Sequence, residues 1–178
     1  MKTKELLNHA SKYTLFAAAI MVVYLLLMWI FGGNILMLNT ITFIIQAFAI
    51  IFFSIKAINK ARIEFGEGHI SYLNAFLLSF IISFFSLLIF LLVKLLIYYV
   101  LDPNYLNNML NTVMINMEMQ KEMLPEQFQS YANPETFSQA FSFKYQLGAA
   151  FTYLIESAIL SLILAGIVKK HPAINENM

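Results

Sequence analysis

Four long apolar stretches, separated by short polar segments, set the pattern of the chain. The first, Tyr13 to Phe31, contains no charge, and the second runs from about Ile35 to Ile55, next to Lys56. The third, Ile70 to Leu101, is the longest, and the fourth runs from about Gln146 to Val168, just before Lys169-Lys170-His171-Pro172. A helix needs about 20 mostly apolar residues to cross a hydrocarbon core of roughly 30 Å, and all four stretches qualify. Lipid offers no partner for backbone N–H and C=O groups, so such segments are expected as helices. The pattern predicts an all-α integral membrane protein forming a single membrane domain over residues 1–178. Its core is a four-transmembrane-helix bundle with spans at about 13–31, 35–55, 72–100 and 146–168, and an extra amphipathic helix lies between spans three and four.

The polar segments punctuate this plan. Gly32-Gly33-Asn34 reads as a tight turn, and Asn59 to His69, with Gly66 and Gly68, as a short charged loop. The third stretch is longer than the hydrocarbon core requires, so it must tilt or project. Asp102-Pro103 stops it, because the residue before a proline is pushed out of helical geometry. The loop of residues 102–145 opens with a helix-like segment in which Leu106, Leu110, Val113, Met117 and Leu124 fall near one face, ended by Pro125. Asn133-Pro134-Glu135 reads as an N-cap, a proline at the first helical position and an acidic first turn, so the fourth helix is expected to start there. No internal repeat or inverted pair of broken helices is visible.

Composition agrees with a lipid solvent. Hydrophobic residues make up 60% of the 178 residues and charged ones 12%, about half the usual share of a soluble domain, roughly 25%. A soluble chain of this length has too little volume to hide so much apolar surface. The distribution of charge gives an orientation. Lys2, Lys4, Lys12, Lys56, Lys60, Arg62, Lys169 and Lys170 flank one side, whereas only Lys121 and Lys144 lie on the other, in the long loop. By the positive-inside rule, both termini are expected in the cytosol, and the acidic long loop outside. Trp29, Phe31, Tyr98, Tyr99 and Tyr145 then fall near the outer interface, and Tyr13 and Tyr72 near the inner one. Lys2 and Lys4 resemble the start of a signal peptide, but the following apolar stretch is long and no A-x-A-like site follows, so it reads as an uncleaved first span.

Candidate chemistry is sparse. With no Cys, the sequence excludes disulfides, thiolate metal sites and thiol nucleophiles, and His9, His69 and His171 lie too far apart in sequence for a helical metal motif. No cofactor is expected. Gly66-Glu67-Gly68 follows no strand and precedes no Gly-Lys-Ser/Thr, so it reads as a flexible turn. Met109, Met114, Met117, Met119 and Met123 offer thioethers that bind Cu(I), but adaptable packing is the ordinary role of methionine on an amphipathic helix. Glu156 is the sharpest feature, because an ionised carboxylate near the bilayer midplane costs several kcal/mol unless paired or neutralised. Counted from the outer side, Lys94 is about 9 Å deep and Glu156 about 15 Å, an offset that a lysine side chain spans. Ser79, Ser83, Ser86 and Lys94 share a stripe of the third span, Gly148, Thr152 and Glu156 one of the fourth, and Thr42 and Gln46 one of the second. The three stripes are expected to meet as an intramembrane polar cluster. Glu156 is then either a proton or ion site or a structural carboxyl that fixes helix register, and Lys94 either pairs with it or snorkels outward. Ser157, Ser161 and Ala165 have the small-xxx-small spacing of close helix contact, within the bundle or across a homodimer seam.

Two segments carry a family likeness. Ile63-Glu64-Phe65-Gly66-Glu67-Gly68-His69-Ile70-Ser71-Tyr72 with Ala75-Phe76, and the exit Leu101-Asp102-Pro103-Asn104-Tyr105, resemble the bacterial membrane proteins grouped as domain-of-unknown-function family 4199. The resemblance covers nearly the whole chain, including the four-span layout and the long third loop. It implies a small multi-pass protein of the bacterial cytoplasmic membrane and no catalytic residue.

Two functions compete on this reading. One is a non-enzymatic structural, assembly or accessory component, acting through helix contacts and its external loop. The other is a subunit of a small transporter or channel using Glu156 and Gln46, which demands oligomerisation because four spans rarely enclose a pore. A membrane enzyme would need clustered acid, base or metal ligands, which the sequence does not supply. Expected partners are membrane lipids and either further copies or another membrane protein; nucleic acid is not among them.

Overall fold

The computed structural model describes residues 3–31, 35–66, 68–121, 139 and 141–168. Among them the elements are helices: α1 (Thr3–Phe31), α2 (Ile35–Phe65), α3 (Tyr72–Leu96) continued by a π-helical turn (Ile97–Leu101), α4 (Pro103–Lys121) and α5 (Phe143–Val168). Four of these are long and apolar enough to cross a membrane, α3 with its π-helical turn counting as one. The fold is that of an all-α membrane protein with a further helix, α4, between the third and fourth spans.

Helix α3 is the centre. It packs against α1 and α2 on one side and α5 on the other, while α2 and α5 touch each other only lightly. Small residues make the close contacts possible. On α1 the buried positions Ala10, Thr14, Ala17 and Met21 recur every three or four residues, the helical period that keeps them on one face. Facing them, α3 buries Ala75, Ser79, Ile82 and Ser86. Between apolar helices in lipid, such small side chains let backbones approach and gain dispersion contact. Other large apolar residues point outward, as Phe48, Phe151, Ile155 and Ile167 do, while Leu78 and Phe90 of α3 are buried.

Both ends of the first helix pair differ from the expected loops. The segment from Asn59 to Phe65 is helix, not loop, because Ala57, Ile58 and Ala61 keep the packing period while Lys60 and Glu64 pair across one turn of its exposed side (3.3 Å). Helix α1 likewise starts at Thr3, ahead of its apolar stretch. The reversal into α3 is short. Gly68 holds φ of 92° and donates from its N–H to the Arg62 carbonyl (3.0 Å), and a Cβ on Gly66 would collide with the His69 carbonyl oxygen. The Gly-rich turn is thus a hydrogen-bonded helix stop. Ser71 then caps α3, its side chain accepting from the Asn74 N–H.

The opposite end is built around Asp102. The π-helical turn carries α3 to Leu101, and the Asp102 N–H closes it on the Ile97 carbonyl (2.9 Å). Asp102 then caps α4, one carboxylate oxygen accepting from the Tyr105 N–H (3.0 Å), with Pro103 at the first helical position. The other oxygen accepts from the Trp29 indole N–H at the end of α1 (3.1 Å). Leu106 and Met109 bury the inner face of α4 and Leu110 half-buries beside them; Leu124 and the side chains of Val113 and Met117 lie outside the described residues. Of the methionine set, Met109 is core and Met114 half-buried. The fourth spanning helix starts later than expected, at Phe143, where Ser142 caps it by accepting from the Tyr145 N–H (3.3 Å). The expected start at Asn133-Pro134-Glu135 and the Gly32-Gly33-Asn34 turn lie outside the described residues.

Candidate functional site

Hydroxyl side chains join the spanning helices from within. Ser83 donates to the Ser157 hydroxyl across the α3–α5 contact (2.9 Å). Ser86 donates to the Thr14 carbonyl on α1 (3.1 Å), while Thr14 donates to the Ala10 carbonyl (3.0 Å). Ser79 returns to the Ala75 carbonyl of its own helix (3.0 Å). Ser157, Ser161 and Ala165 are all buried inside the chain, and the Ser161 hydroxyl is enclosed without a hydrogen-bond partner.

That packing stripe determines where Glu156 goes. One residue along a helix turns the side chain by about 100°, so with Ser157 directed at α3, Glu156 faces away. Glu156, Thr152 and Gly148 are exposed on the outer side of α5. The expected polar stripes therefore do not merge into one cluster. Ser83, Gln46 and Glu156 border one groove of about 480 Å³, where α2 and α5 diverge over α3, with Ile50, Leu160 and Ile163 on its apolar walls. Thr152 and Gly148 belong to a separate depression beside Ser142 and Tyr145. No ion pair joins Lys94 to Glu156; among the described residues the ion pairs are His9–Glu64 and Lys60–Glu64.

Lys94 instead lines a partly enclosed cavity of about 200 Å³ toward the Asp102 end. Side chains from every helix contribute, including Tyr24, Gln46, Tyr98, Tyr105 and Tyr153. Tyr98 is buried and its ring lies 6.0 Å from that of Tyr105. The Tyr24 hydroxyl is buried without a hydrogen-bond partner among the described residues. This tyrosine-rich setting escapes a linear reading, because its members are spread from residue 24 to residue 153 and none repeats a motif. Gln46 borders both the groove and the cavity.

A third polar place sits at the basic end. His9 Nε2 lies 2.9 Å from the Ala57 carbonyl and Nδ1 lies 3.7 Å from the Glu64 carboxylate, with Phe65 edge-on to the ring. A carbonyl oxygen only accepts, so Nε2 carries a proton. This contact ties the first turns of α1 to the last turns of α2. Sequence spacing gave no sign of it, since 48 residues separate His9 from Ala57.

Taken with the four spanning helices, these features define a small all-α multi-pass membrane protein whose polar groups sit at helix contacts and in two cavities. Residues 12–170 match the family described as protein of unknown function DUF4199. The chain belongs to that family, in line with the likeness of its two turn segments. No curated protein and no solved structure matches the chain.

Proposed function

We propose that the protein is a non-catalytic accessory or assembly component of the bacterial cytoplasmic membrane, with its termini on the cytosolic side, and that it docks a transmembrane helix of another protein in the groove between α2 and α5. The observation that supports this reading is the outward position of Glu156, about halfway along a spanning helix. An acidic side chain at that depth costs about 2.5–3.5 kcal/mol on insertion scales when it meets lipid. A partner helix bearing a hydrogen-bond donor relieves that cost, and Gln46 and Ser83 on the same groove extend the polar match. The hydroxyl contacts that hold α3 to α1 and α5 do not involve Glu156, so it is free for association.

Photocrosslinkers placed at Ile163 and at Phe43, on opposite walls of the groove, test this in native membranes. The expected result is one and the same membrane protein captured from both positions, and lost with Glu156→Leu while the variant still folds. Adducts to lipid alone would refute the docking role. Capture of a second copy would support instead the reading as a subunit of an oligomeric transporter or channel. That second reading rests on Gln46, which borders both the Glu156 groove and the Lys94 cavity and so lies on a polar line through the chain.

A further inference from the structure

We propose that Lys94 and the phenols around it form a binding site for an anionic oxygen group, a phosphate or a carboxylate, carried by a lipid headgroup or free in solution. The site adjoins the Glu156 groove, sharing Phe43 and Gln46 with it, but does not depend on the docking role.

The first ground is charge. Among the described residues that line the cavity, Lys94 is the one cation and none is Asp or Glu. No ion pair to Lys94 exists among the described residues. The acid nearest in sequence, Asp102, already gives one oxygen to Trp29 and the other to Tyr105. An ammonium withdrawn from water and left unpaired is costly, so the cavity favours any ligand that supplies the missing negative charge.

The second ground is the donor set. Tyr24, with its hydroxyl buried and unpartnered, borders the cavity together with Thr42 and Gln46. A hydroxyl or amide hydrogen is what an oxyanion accepts, and charge-assisted bonds of this kind are stronger than neutral ones. A cationic ligand would find the Lys94 ammonium in its way.

The third ground is the closure of the snorkelling route. Lys94 lies seven residues before Leu101, about 10 Å along the helix axis. Tyr98, one turn further on the same face, is buried, and Tyr105 and Phe141 border the cavity from beyond the end of α3. Lys94 is half-buried and lines the cavity beside these aromatic side chains, and the space of about 200 Å³ takes a compact anionic group.

The test uses the full chain in mild detergent with three probes: phosphatidylglycerol, phosphatidylcholine as the net-neutral comparison, and inorganic phosphate. Native mass spectrometry reads retained lipid, and titration calorimetry reads phosphate. The expected result is binding that falls about tenfold or more in Lys94→Met, recovers in Lys94→Arg, and falls by a smaller factor in Tyr24→Phe. Preference for phosphatidylglycerol over phosphatidylcholine assigns the anion to a lipid headgroup. Phosphate binding with the same dependence on the variants, and no preference between lipids, assigns it to a soluble ion. Absence of binding by both phosphatidylglycerol and phosphate overturns the proposal, and so does wild-type binding in folded Lys94→Met. Should Lys94→Met fail to fold, Tyr24→Phe, which removes one hydroxyl, decides alone: unchanged binding overturns the site.

Discussion

Asp102 joins three elements with one carboxylate, and removing it has a calculable consequence. Its Oδ1 accepts from the Tyr105 N–H at 3.0 Å and its Oδ2 from the Trp29 indole at 3.1 Å, across 73 residues of chain. Loss of an N-cap side chain costs about 0.5–2 kcal/mol. An indole N–H left half-buried without its acceptor adds roughly 1 kcal/mol, the low end for a group that water partly reaches. Asp102→Ala is therefore expected to lose about 1.5–3 kcal/mol. Asp102→Asn keeps one acceptor oxygen and loses about 1 kcal/mol, because its amide nitrogen cannot accept from the second donor. Trp29→Phe removes the donor alone, and its coupling to Asp102→Ala in a double-mutant cycle isolates the pair at about 1 kcal/mol. Unfolding by sodium dodecyl sulfate in mixed micelles, followed by circular dichroism, measures the wild type and the four variants. The single Trp of the chain adds a direct probe, since its emission changes when the carboxylate leaves. A loss under about 0.5 kcal/mol in Asp102→Ala, or an unchanged indole spectrum, would refute the tie between α1 and α4.

Three further outcomes follow from the contacts. Ser83→Ala should cost only about 0.6 kcal/mol, the average for a hydrogen bond between membrane helices, whereas Ser157→Leu should cost about 1–3 kcal/mol by overfilling the α3–α5 contact; detergent unfolding separates the two. Gly68→Ala, at φ of 92°, should lose about 1 kcal/mol, and Gly66→Ala more, since its Cβ meets backbone; equal stability of all three proteins would contradict the turn geometry. Burial first, then the Asp102 carboxylate and the Tyr24 phenol, raise the Tyr105 phenol above its ordinary 10.0. The fold thus favours the neutral phenol, a contribution complete below pH 10 and lost as pH rises through the raised value. Ultraviolet titration of the native protein should show that Tyr105→Phe removes a phenol ionising above that point.

Span positions are legible in the sequence because length and apolar content alone decide what lipid accepts. What a single sequence does not give is azimuth. In a soluble helix the apolar stripe marks the buried face, but in lipid both faces are apolar, and Phe151 and Ile155 are exposed while Ser157 and Ser161 are buried. The small-residue spacing of Ser157, Ser161 and Ala165 was the informative mark, and taking it as the packing face would have turned Glu156 outward. The helical run from Asn59 to Phe65 was hidden by a different cause. Lys60, Arg62 and Glu64 look like a loop when counted as charges, although Ala57, Ile58 and Ala61 continue the helical period beneath them. The Asp102-Pro103 pair reads in the sequence only as the end of α3, and the fold shows that Asp102 also caps α4.

The polar groups of the spanning region divide by what the fold does with them. Ser79, Ser83, Ser86 and Thr14 have their hydrogen bonds inside the chain, on atoms that no lipid or partner reaches. Such contacts specify which helix meets which, and they are complete in a single copy. Lys94 and Glu156 are different: each is an ionisable group, each faces a space, and neither is ion-paired among the described residues. Had the chain used them to hold itself together, the simplest arrangement would join them, since their signs are opposite and their depths compatible. Packing keeps them apart, with Lys94 among phenols and Glu156 on the outer side of α5. Unpaired charges at these depths lower the stability of an isolated chain. On the two proposals made above, the energetic return comes from outside the chain, from an anion at Lys94 and from a second helix at Glu156.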